Sequence, residues 1–361
     1  GSCRSKLFFP GISIDMAEKL SRAFGKTSVQ LEKDAPLSDR NLLEPSEIIQ
    51  IKEGKALFIN NEIKKLIGWS PEEFIQHFEI IIINDGSSDG GDIVAKTYSD
   101  KRIKVIGQEN NGVSAARNKG ISASKYEFVC LLDADDEWRP LFLEEMAKLL
   151  NDYPDHHIFS LRHEIVDDLG ELIYPKVKLK KGYRGVVKNF TQLYSRSNGL
   201  INASSVCLRK QYFLQLGGFP ASQNQGEDIY LWLTFDLNTD LVFYDAIGSR
   251  YYRNASNRSI DRLTLTTLPF HFSHFYKKLG NKSFLSAYGN TKKIYLNKYL
   301  RRQALFHIAK LTSLNKKEVA ASHTNLLYSL NKSTGVLCYL ITLIPSPILN
   351  TTKVIRDMRR R

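Results

Sequence analysis

Three carboxylates stand within four residues at Asp133, Asp135 and Asp136, in the stretch CLLDADDEW. They follow an apolar run that begins at Phe128, is interrupted only by Cys130, and reads as an interior strand of a sheet. A D-x-D pair on the turn after a buried strand can place oxygen ligands on one hard divalent cation, which usually keeps positions for water and phosphate oxygens. The stretch therefore predicts cation-assisted phosphate chemistry, with a solvated acidic turn as the alternative.

A second polar stretch, NDGSSDGG at residues 84–91, follows a run of four isoleucines that also reads as a strand. Glycines and small hydroxyl residues let a ligand approach the backbone, and the Asp85 carboxylate can accept a hydrogen bond from a base or ribose. The stretch lacks the G-K-[ST] ending of a Walker loop. It predicts a nucleotide contact, and a strand-to-helix turn capped by Ser88 or Asp89 is the alternative.

Two later stretches could complete such a site. In NNGVSAARNKG, residues 110–120, Arg117 lies among small residues, and its guanidinium could tie acidic strand ends together or contact a diphosphate. In GGFPASQNQGEDIYLWL, residues 217–233, a Gly-rich loop leads to Glu227 and Asp228 at the start of a helix. These two carboxylates are either ordinary first-turn residues or a general base placed over an acceptor hydroxyl.

The elements that must position these residues alternate between strand and helix. The pattern predicts strands at 79–85, 103–107 and 126–133 and helices at 90–100, 113–124 and 140–153. Short connections between such elements imply a mostly parallel sheet with helices on both faces. Ligands of such sheets bind beyond the carboxyl ends of the strands, where Asp85 and Asp133 to Asp136 fall.

The chain of 361 residues has a net charge of +13, and the charge is unevenly distributed. Residues 261–361 hold 18 Lys and Arg against 3 Asp and Glu, whereas the first 260 residues are near −2. We expect 261–361 to be mainly helical. Its apolar run GVLCYLITLIPSPIL is shorter than the roughly 20 residues of a spanning helix, and the basic KVIRDMRRR follows it. Residues 335–361 are therefore predicted to lie on an anionic membrane surface, with a terminal helix packed on the protein as the alternative.

The four cysteines are far apart in sequence and form no CxxC pair, so we expect reduced thiols. The opening GSCRSK does not resemble a signal peptide. Together these features predict a cytoplasmic protein, peripheral on the inner face of the cell membrane.

Residues 1–78 do not fit the alternating pattern. The segment ISIDMAEKLSRAFG faintly resembles part of a helix-turn-helix domain, and KALFINNEIKKLIGWSPEEFI faintly resembles the middle of a PAS sensor domain. Both are too short for a complete domain, and a generic amphipathic helix is the simpler interpretation of each. We therefore divide the chain into an atypical segment 1–78, an α/β domain 79–260 and a helical basic region 261–361.

Taken in order, the four polar stretches resemble the motifs of family 2 glycosyltransferases, which have the GT-A fold. The ordered motifs are DGSSDG after a strand, NNG-x-S-x-A-R-N-x-G, LLDADD-x-W, and GGF followed by GED-x-x-L-W. The resemblance covers about residues 79–260. It implies a Rossmann-like, mostly parallel central sheet and a transferase that uses a nucleotide sugar.

The resemblance also implies a role for each matching residue. Asp85, with Gly86 and Ser87 beside it, would contact the nucleotide base, and Arg117 would lie near the base and diphosphate. Asp133 and Ala134 would face the nucleoside, and Asp135 would bind Mg2+ or Mn2+ bridging the diphosphate. The acidic pair would supply the general base, for which we favour Asp228 over Glu227.

The sequence departs from the family in two places. Members begin with an apolar strand that ends in a P-x-Y-N-like turn about 30 residues before the DGS strand, whereas residues 48–60 read IIQIKEGKALFIN. Either a diverged segment supplies that strand, or half of the nucleotide pocket is missing. Many members also place a His after the Arg of YYRNASNRS, where Asn254 and Ala255 stand here.

The resemblance implies an inverting glycosyltransferase that moves a sugar, from a UDP-sugar by preference, to a cell-envelope saccharide or lipid-linked acceptor in polysaccharide biosynthesis. The main alternative is a nucleotide-binding or regulatory protein with a catalytically impaired GT-A domain. Nucleic-acid binding through the basic region is the weaker alternative, because no nucleic-acid module is recognisable. The aromatic residues that keep it open are Tyr276, Tyr288, Tyr295 and Tyr299.

Overall fold

The computed structural model describes residues 5–7, 78–194, 200–221, 223, 225–253 and 267–351. Within them, a mixed α/β domain is followed by a set of packed helices. The described residues do not include 48–60, Asn254 or Ala255. They also do not include the two N-terminal segments that faintly resemble parts of helix-turn-helix and PAS domains.

A small sheet carries the first polar stretch. Its central strand β2 (Ile80–Asp85) has β3 (Ile103–Gln108) on one side and the short β1 (Ser5–Leu7) on the other. β2 and β3 are parallel and are joined through α1 (Gly91–Lys96), whereas β1 runs antiparallel to β2. Helix α2 (Val113–Ala123) follows β3. One edge of β2 is therefore paired with residues from near the start of the sequence.

A second sheet follows the strand order β4-β9-β6-β10-β5. Its elements in chain order are β4 (Phe128–Cys130), β5 (Glu137–Trp138), α3 (Phe142–Asp152), β6 (Ile158–Val166), β7 (Leu172–Ile173), β8 (Arg184–Val187), α4 (Phe190–Tyr194), β9 (Val206–Arg209), α5 (Lys210–Gln215), α6 (Glu227–Asn238) and β10 (Leu241–Tyr252). A 3-10 turn at Ala203–Ser205 precedes β9. β6 and β10 are parallel, and their other partners, β7 and β9 for β6 and β5 and β8 for β10, are antiparallel.

The predicted strand–helix alternation is confirmed between residues 80 and 152, and the α/β class with it. The strand directions are more mixed than expected, because β5, β7, β8 and β9 enter the sheet as short antiparallel pieces. The strand predicted at 126–133 is only three residues long, and Leu131 and Leu132 beyond its end remain buried.

Helices make up the C-terminal part of the described chain: α7 (Phe270–Leu279), α8 (Lys282–Ser313), α9 (Lys317–Leu330), α10 (Lys332–Thr342) and α11 (Ser346–Thr351). The apolar run predicted to lie on a membrane forms α10 and α11, which pack on α8 through Cys338 and Leu349. Across the residues described, no helix combines the length and the apolar character needed to cross a bilayer.

Helix α6 belongs to two hydrophobic cores at once. Trp232 and Phe235 pack into the core of the sheet domain. Leu233 and Leu237 pack into the core of the C-terminal helices, beside residues such as Phe275. The start of α6 is therefore held by the sheet domain on one side and by the C-terminal helices on the other.

Candidate active site

Asp85 anchors the loop that leads into α2. Its side chain is fully buried, and its carboxylate accepts hydrogen bonds from Gln108 Nε2 at 2.7 Å and from the backbone N–H groups of Asn111 and Gly112 at 2.8 and 2.9 Å. Gly86, with φ +71°, lies so close to this loop that a Cβ would be 2.8 Å from the Asn110 nitrogen. The first two motifs are thus joined by hydrogen bonds. The predicted contact of Asp85 with a nucleotide base stays a prediction.

The turn after β2 is closed by its own side chains. The Ser87 backbone N–H donates to Asn84 Oδ1, three residues earlier in the chain, at 2.8 Å. Gly86 and Ser87, both predicted to lie beside a nucleotide, are therefore placed at the carboxyl end of β2 next to the α2 loop.

Arg117 lies at the centre of the site. Its side chain is buried, and one terminal nitrogen donates to both carboxylate oxygens of Asp133 at 2.9 and 2.7 Å. The other terminal nitrogen lies 3.4 Å from Glu227 Oε1, and the guanidinium lies 5.1 Å from the centre of the Phe219 ring. Burial alone would lower the pKa of Arg117, but the carboxylates of Asp133 and Glu227 outweigh burial and raise it.

Asn118, the next residue, joins the second motif to the fourth. Its side-chain N–H donates to the Phe219 carbonyl at 2.8 Å, and its Oδ1 accepts the Phe219 N–H at 2.9 Å. Gly218 has φ +69°, and a Cβ there would lie 2.9 Å from Asn118 Oδ1. A side chain at Gly218 would therefore disturb this pair of bonds, which explains the second glycine of GGF.

The three neighbouring aspartates of residues 133–136 have three different environments. Asp133 is paired with Arg117, and its backbone N–H donates to Ser204 Oγ at 3.0 Å. Asp136 is buried and accepts the Ser204 hydroxyl at 2.5 Å and the Tyr252 N–H at 3.3 Å. Burial, reinforced by the charges of Asp135 and Asp133, raises the pKa of Asp136 well above its ordinary value.

Asp135 is the member of this group that faces solvent. No residue that the structure describes donates a hydrogen bond to its carboxylate, so the oxygens are available to an external ligand. Hard divalent cations prefer such carboxylate oxygens. Nowhere in the described ranges are three His, Cys, Asp or Glu side chains arranged so that they alone could hold a metal ion. Asp135 therefore fits a cation that takes most of its remaining ligands from water and from phosphate oxygens.

Glu227 and Asp228 begin α6 after Gly226, which has φ +77°. The Glu227 side chain is 13% exposed. Burial and the neighbouring Asp228 raise the pKa of Glu227 to about 7, although Arg117 acts against them. Burial also raises the pKa of Asp228. The Ile229 backbone N–H donates to Asp228 Oδ1 at 2.6 Å. Both groups are therefore easier to protonate than ordinary carboxylates, which suits proton transfer near neutral pH.

Three residues that sequence reasoning did not single out for this site surround the acidic pair. The Tyr194 and Tyr299 rings are stacked 5.2 Å apart, and the negative charge of Asp228 helps burial to raise the pKa of both hydroxyls. His271 on α7 packs so tightly on Gly226 that a Cβ at Gly226 would overlap its ring. Tyr299 and His271 lie more than 40 residues beyond the acidic pair in a region that carries no family motif, so no pattern in the sequence pointed to them.

The structure thus links the four motifs in pairs. Asp85 and Gly86 contact the loop before α2, and Arg117 within α2 is paired with Asp133 and Glu227. Ala134 packs against the sheet core between Asp133 and Asp135. Tyr276 and Tyr299, which had kept nucleic-acid binding open, are buried in the core of the C-terminal helices.

Comparison with known proteins bears on the family and the fold. Residues 60–207 match the model of glycosyl transferase family 2. The putative glycosyltransferase EpsH of Bacillus subtilis is 36% identical over 34% of this chain and 40% of its own length. An uncharacterised glycosyltransferase of Rickettsia felis is 29% identical over 63% of this chain and 37% of its own length. The chain thus matches about 40% of the length of these two curated relatives.

Among solved structures, S. aureus TarS in complex with UDP-GlcNAc superposes with a TM-score of 0.52 at 15% sequence identity, over 74% of this chain and 82% of that chain. At this identity the likeness establishes a shared fold. The family match together with the fold confirms the resemblance seen in the motifs. Residues 60–207 are thus similar to glycosyl transferase family 2, and the described chain has the GT-A fold.

Proposed function

We propose that the protein transfers a sugar from a nucleoside-diphosphate sugar, with UDP favoured, to a hydroxyl of a cell-envelope saccharide or a lipid-linked acceptor. The observation that carries the proposal is the position of Arg117 between Asp133 and Glu227. It places the strand end expected to bind the donor and the helix start expected to activate the acceptor within one hydrogen-bonded group. TarS, which shares the fold, has been crystallised with UDP-GlcNAc and with UDP, which supports the choice of a uridine nucleotide.

We assign different roles to the two carboxylates of the acidic pair, Glu227 and Asp228. Glu227 is held by Arg117 and helps to fix that cation beside Asp133. Asp228 is not held in this way, so we assign it as the base that removes the proton of the acceptor hydroxyl. The acceptor oxygen bonds to the anomeric carbon as the bond from that carbon to the diphosphate oxygen breaks. One displacement from the opposite face inverts the configuration, and the nucleoside diphosphate leaves with the electron pair.

Mg2+ or Mn2+ fits the exposed carboxylate of Asp135, and such a cation would offset the negative charge that grows on the leaving diphosphate. Asp133 is less suited to hold the cation itself, because both of its carboxylate oxygens accept from Arg117. We therefore give Asp133 the role of placing Arg117 and the nucleoside side of the pocket, with Ala134 and Asp85 beside it.

Calorimetry with UDP, with and without Mn2+, tests the donor side. We expect UDP binding that strengthens with Mn2+ and falls at least about tenfold in Asp135→Ala. The matched control is Asp155→Ala, which removes an exposed aspartate from a turn outside the site and should bind UDP as the parent does. If neither UDP, GDP nor CMP binds, the donor site as proposed does not exist.

The alternative function is nucleotide binding without efficient transfer. The observation that favours it is that the described strand β1 beside β2 has only three residues, while the sequence lacks the P-x-Y-N-like turn expected before the DGS strand. Turnover assays with UDP-sugars that bind separate the two proposals. Metal-dependent UDP binding with no hydrolysis or transfer of any UDP-sugar would favour the regulatory function.

A further inference from the structure

A cavity of about 610 Å3 lies between the second half of α8 and the helices α10 and α11, among the helices that follow the family match. This volume is within the range of roughly 300–1,000 Å3 that is typical of small-ligand sites. Its lining is divided by chemistry. Asn297, Lys298, Arg301 and Arg302 form one end, and the rest is apolar: Leu305, Phe306, Ala309, Ile341, Ile344 and Leu349.

Helical spacing explains this division. Lys298, Arg301, Arg302, Leu305 and Ala309 follow one another at steps of three or four residues or lie side by side, so they share one face of α8. At 1.5 Å per residue, the cationic end and the apolar end are separated by about 16 Å along the helix. Lys298 and Arg301 are exposed, whereas Ala309 and Leu349 are buried, so the cavity changes from charged at its mouth to apolar at its floor.

The surroundings favour an anionic, amphiphilic ligand. Between Asp261 and Asp357 the sequence contains one acidic residue, Glu318, so little negative charge opposes an anion here. The two short helices beside the cavity also expose large apolar side chains to solvent, namely Val336, Tyr339, Leu340, Leu343 and Ile348. Such exposed apolar patches commonly mark protein-protein or membrane interaction sites, and basic segments add attraction to anionic lipid.

We propose that this cavity binds an anionic phospholipid of the membrane surface, with the phosphate at Lys298, Arg301 and Arg302 and a hydrocarbon chain along the apolar lining. A hydrocarbon chain is much narrower than a helix, whose diameter with side chains is about 10–12 Å. A flexible hydrocarbon chain can enter such a space. The proposal concerns the C-terminal helices and does not depend on the sugar-transfer activity.

Two measurements on the full chain test the proposal. The first is sedimentation with vesicles of phosphatidylcholine with or without phosphatidylglycerol. Lys298→Ala/Arg301→Ala should weaken binding to the anionic vesicles about 25-fold, at about fivefold for each basic residue lost from the surface. The matched control is Lys101→Ala/Lys104→Ala, which removes two exposed lysines outside the C-terminal helices and should change binding less than twofold. Equal weakening in both variants, or no binding to anionic vesicles, would overturn the proposal.

The second measurement is calorimetry with short-chain, water-soluble phosphatidylglycerol and, separately, with inorganic phosphate. Ile344→Trp, which fills the apolar part of the cavity, should reduce binding of the lipid at least tenfold, while its thermal midpoint stays that of the parent. Inorganic phosphate that binds as tightly as the lipid would identify a phosphate site and overturn the lipid proposal. If the lipid binds only after residues 352–361 are removed, those residues occupy the cavity in the full chain, and the lipid proposal is also overturned.

Discussion

Two acidic groups lie on either side of Arg117, and the protein holds them by different means. At the strand end, hydrogen bonds hold two of the three aspartates. Asp133 is paired with Arg117 and Asp136 is bonded to Ser204, whereas Asp135 faces solvent. At the helix start, burial between two cores raises the pKa of both Glu227 and Asp228.

The difference separates two kinds of chemistry. At the strand end, the carboxylate of Asp135 faces solvent while Asp133 and Asp136 accept hydrogen bonds from the protein, so Asp135 suits a cation and a diphosphate. A partly dehydrated acidic pair with raised pKa values presents a proton acceptor whose state can change near neutral pH. The comparison therefore predicts that substitutions at the strand end weaken binding of the nucleotide, whereas substitutions at the helix start slow proton transfer.

Replacing the proposed base should have the largest effect. Asp228→Asn keeps the size of the side chain but cannot take a proton, so the rate of sugar transfer should fall about 10²–10⁴-fold. UDP binding by calorimetry should stay within about threefold of the parent, because the donor is held at the strand end. Glu227→Gln is the matched comparison. If Glu227→Gln loses more activity than Asp228→Asn while UDP binding is kept, the base is Glu227 and our assignment is wrong.

Arg117→Ala should be the most destabilising single change in the site. It leaves two carboxylates without their cation in a largely buried place, which typically costs about 3–5 kcal/mol of unfolding free energy. Urea unfolding followed by circular dichroism measures this loss. Arg184→Ala breaks the more exposed pair with Asp152 and should cost far less. Equal losses in the two variants would mean that Arg117 does not join the two acidic groups.

Ser204→Ala tests the strand end alone. The variant removes the hydroxyl that donates to Asp136 and accepts from the Asp133 N–H, and should lower the unfolding free energy by about 1–3 kcal/mol. Ser329→Ala on α9 is the control, because that hydroxyl is exposed and bonds only within its helix. If the Ser204 variant is as stable as this control, the hydrogen bonds of Ser204 do not hold Asp133 and Asp136 in place as described.

The pH dependence of stability should show the smallest effect. The pKa of Glu227 is raised to about 7 in the folded protein, from an ordinary value of 4.5. Between these values the folded state holds a proton that the unfolded state has lost. This contribution to stability is complete below about pH 4.5 and is lost as the pH rises to about 7, at no more than about 1.4 kcal/mol per pH unit.

Thermal unfolding from pH 5 to 8 checks this sign. The stability of the parent relative to Glu227→Gln should fall as the pH rises across that range. The exposed Glu109→Gln is the control, and its difference from the parent should stay nearly constant. A parent that gains stability relative to Glu227→Gln with rising pH would show that the pKa of Glu227 is lowered instead.

The sequence predicted the parts of the fold that depend on local pattern. The alternation from Ile80 to Asp152 follows from apolar runs and turn residues, and the four motifs identify the site because each is contiguous in the chain. The short antiparallel strands could not be predicted in the same way, since β5 and β7 have only two residues each and form because of their neighbours.

The same distinction applies within the site. The three aspartates could be selected by spacing, but which of them faces solvent depends on Ser204, about 70 residues away in sequence. Similarly, His271 and Tyr299 reach the acidic pair through the packing of α7 and α8, which no pattern around Glu227 encodes. Contacts between distant segments are set by tertiary packing and escape a reading of local sequence.

The shared helix α6 also limits how this protein can be truncated or recombined with its relatives. A fragment that stops at residue 207, where the family match ends, lacks the acidic pair altogether. One that stops at residue 260 keeps the pair but leaves Leu233 and Leu237 without the helices that cover them. A chimera between relatives would therefore have to inherit α6 together with α7 and α8, so the smallest transferable unit extends well beyond the stretch that carries the family motifs.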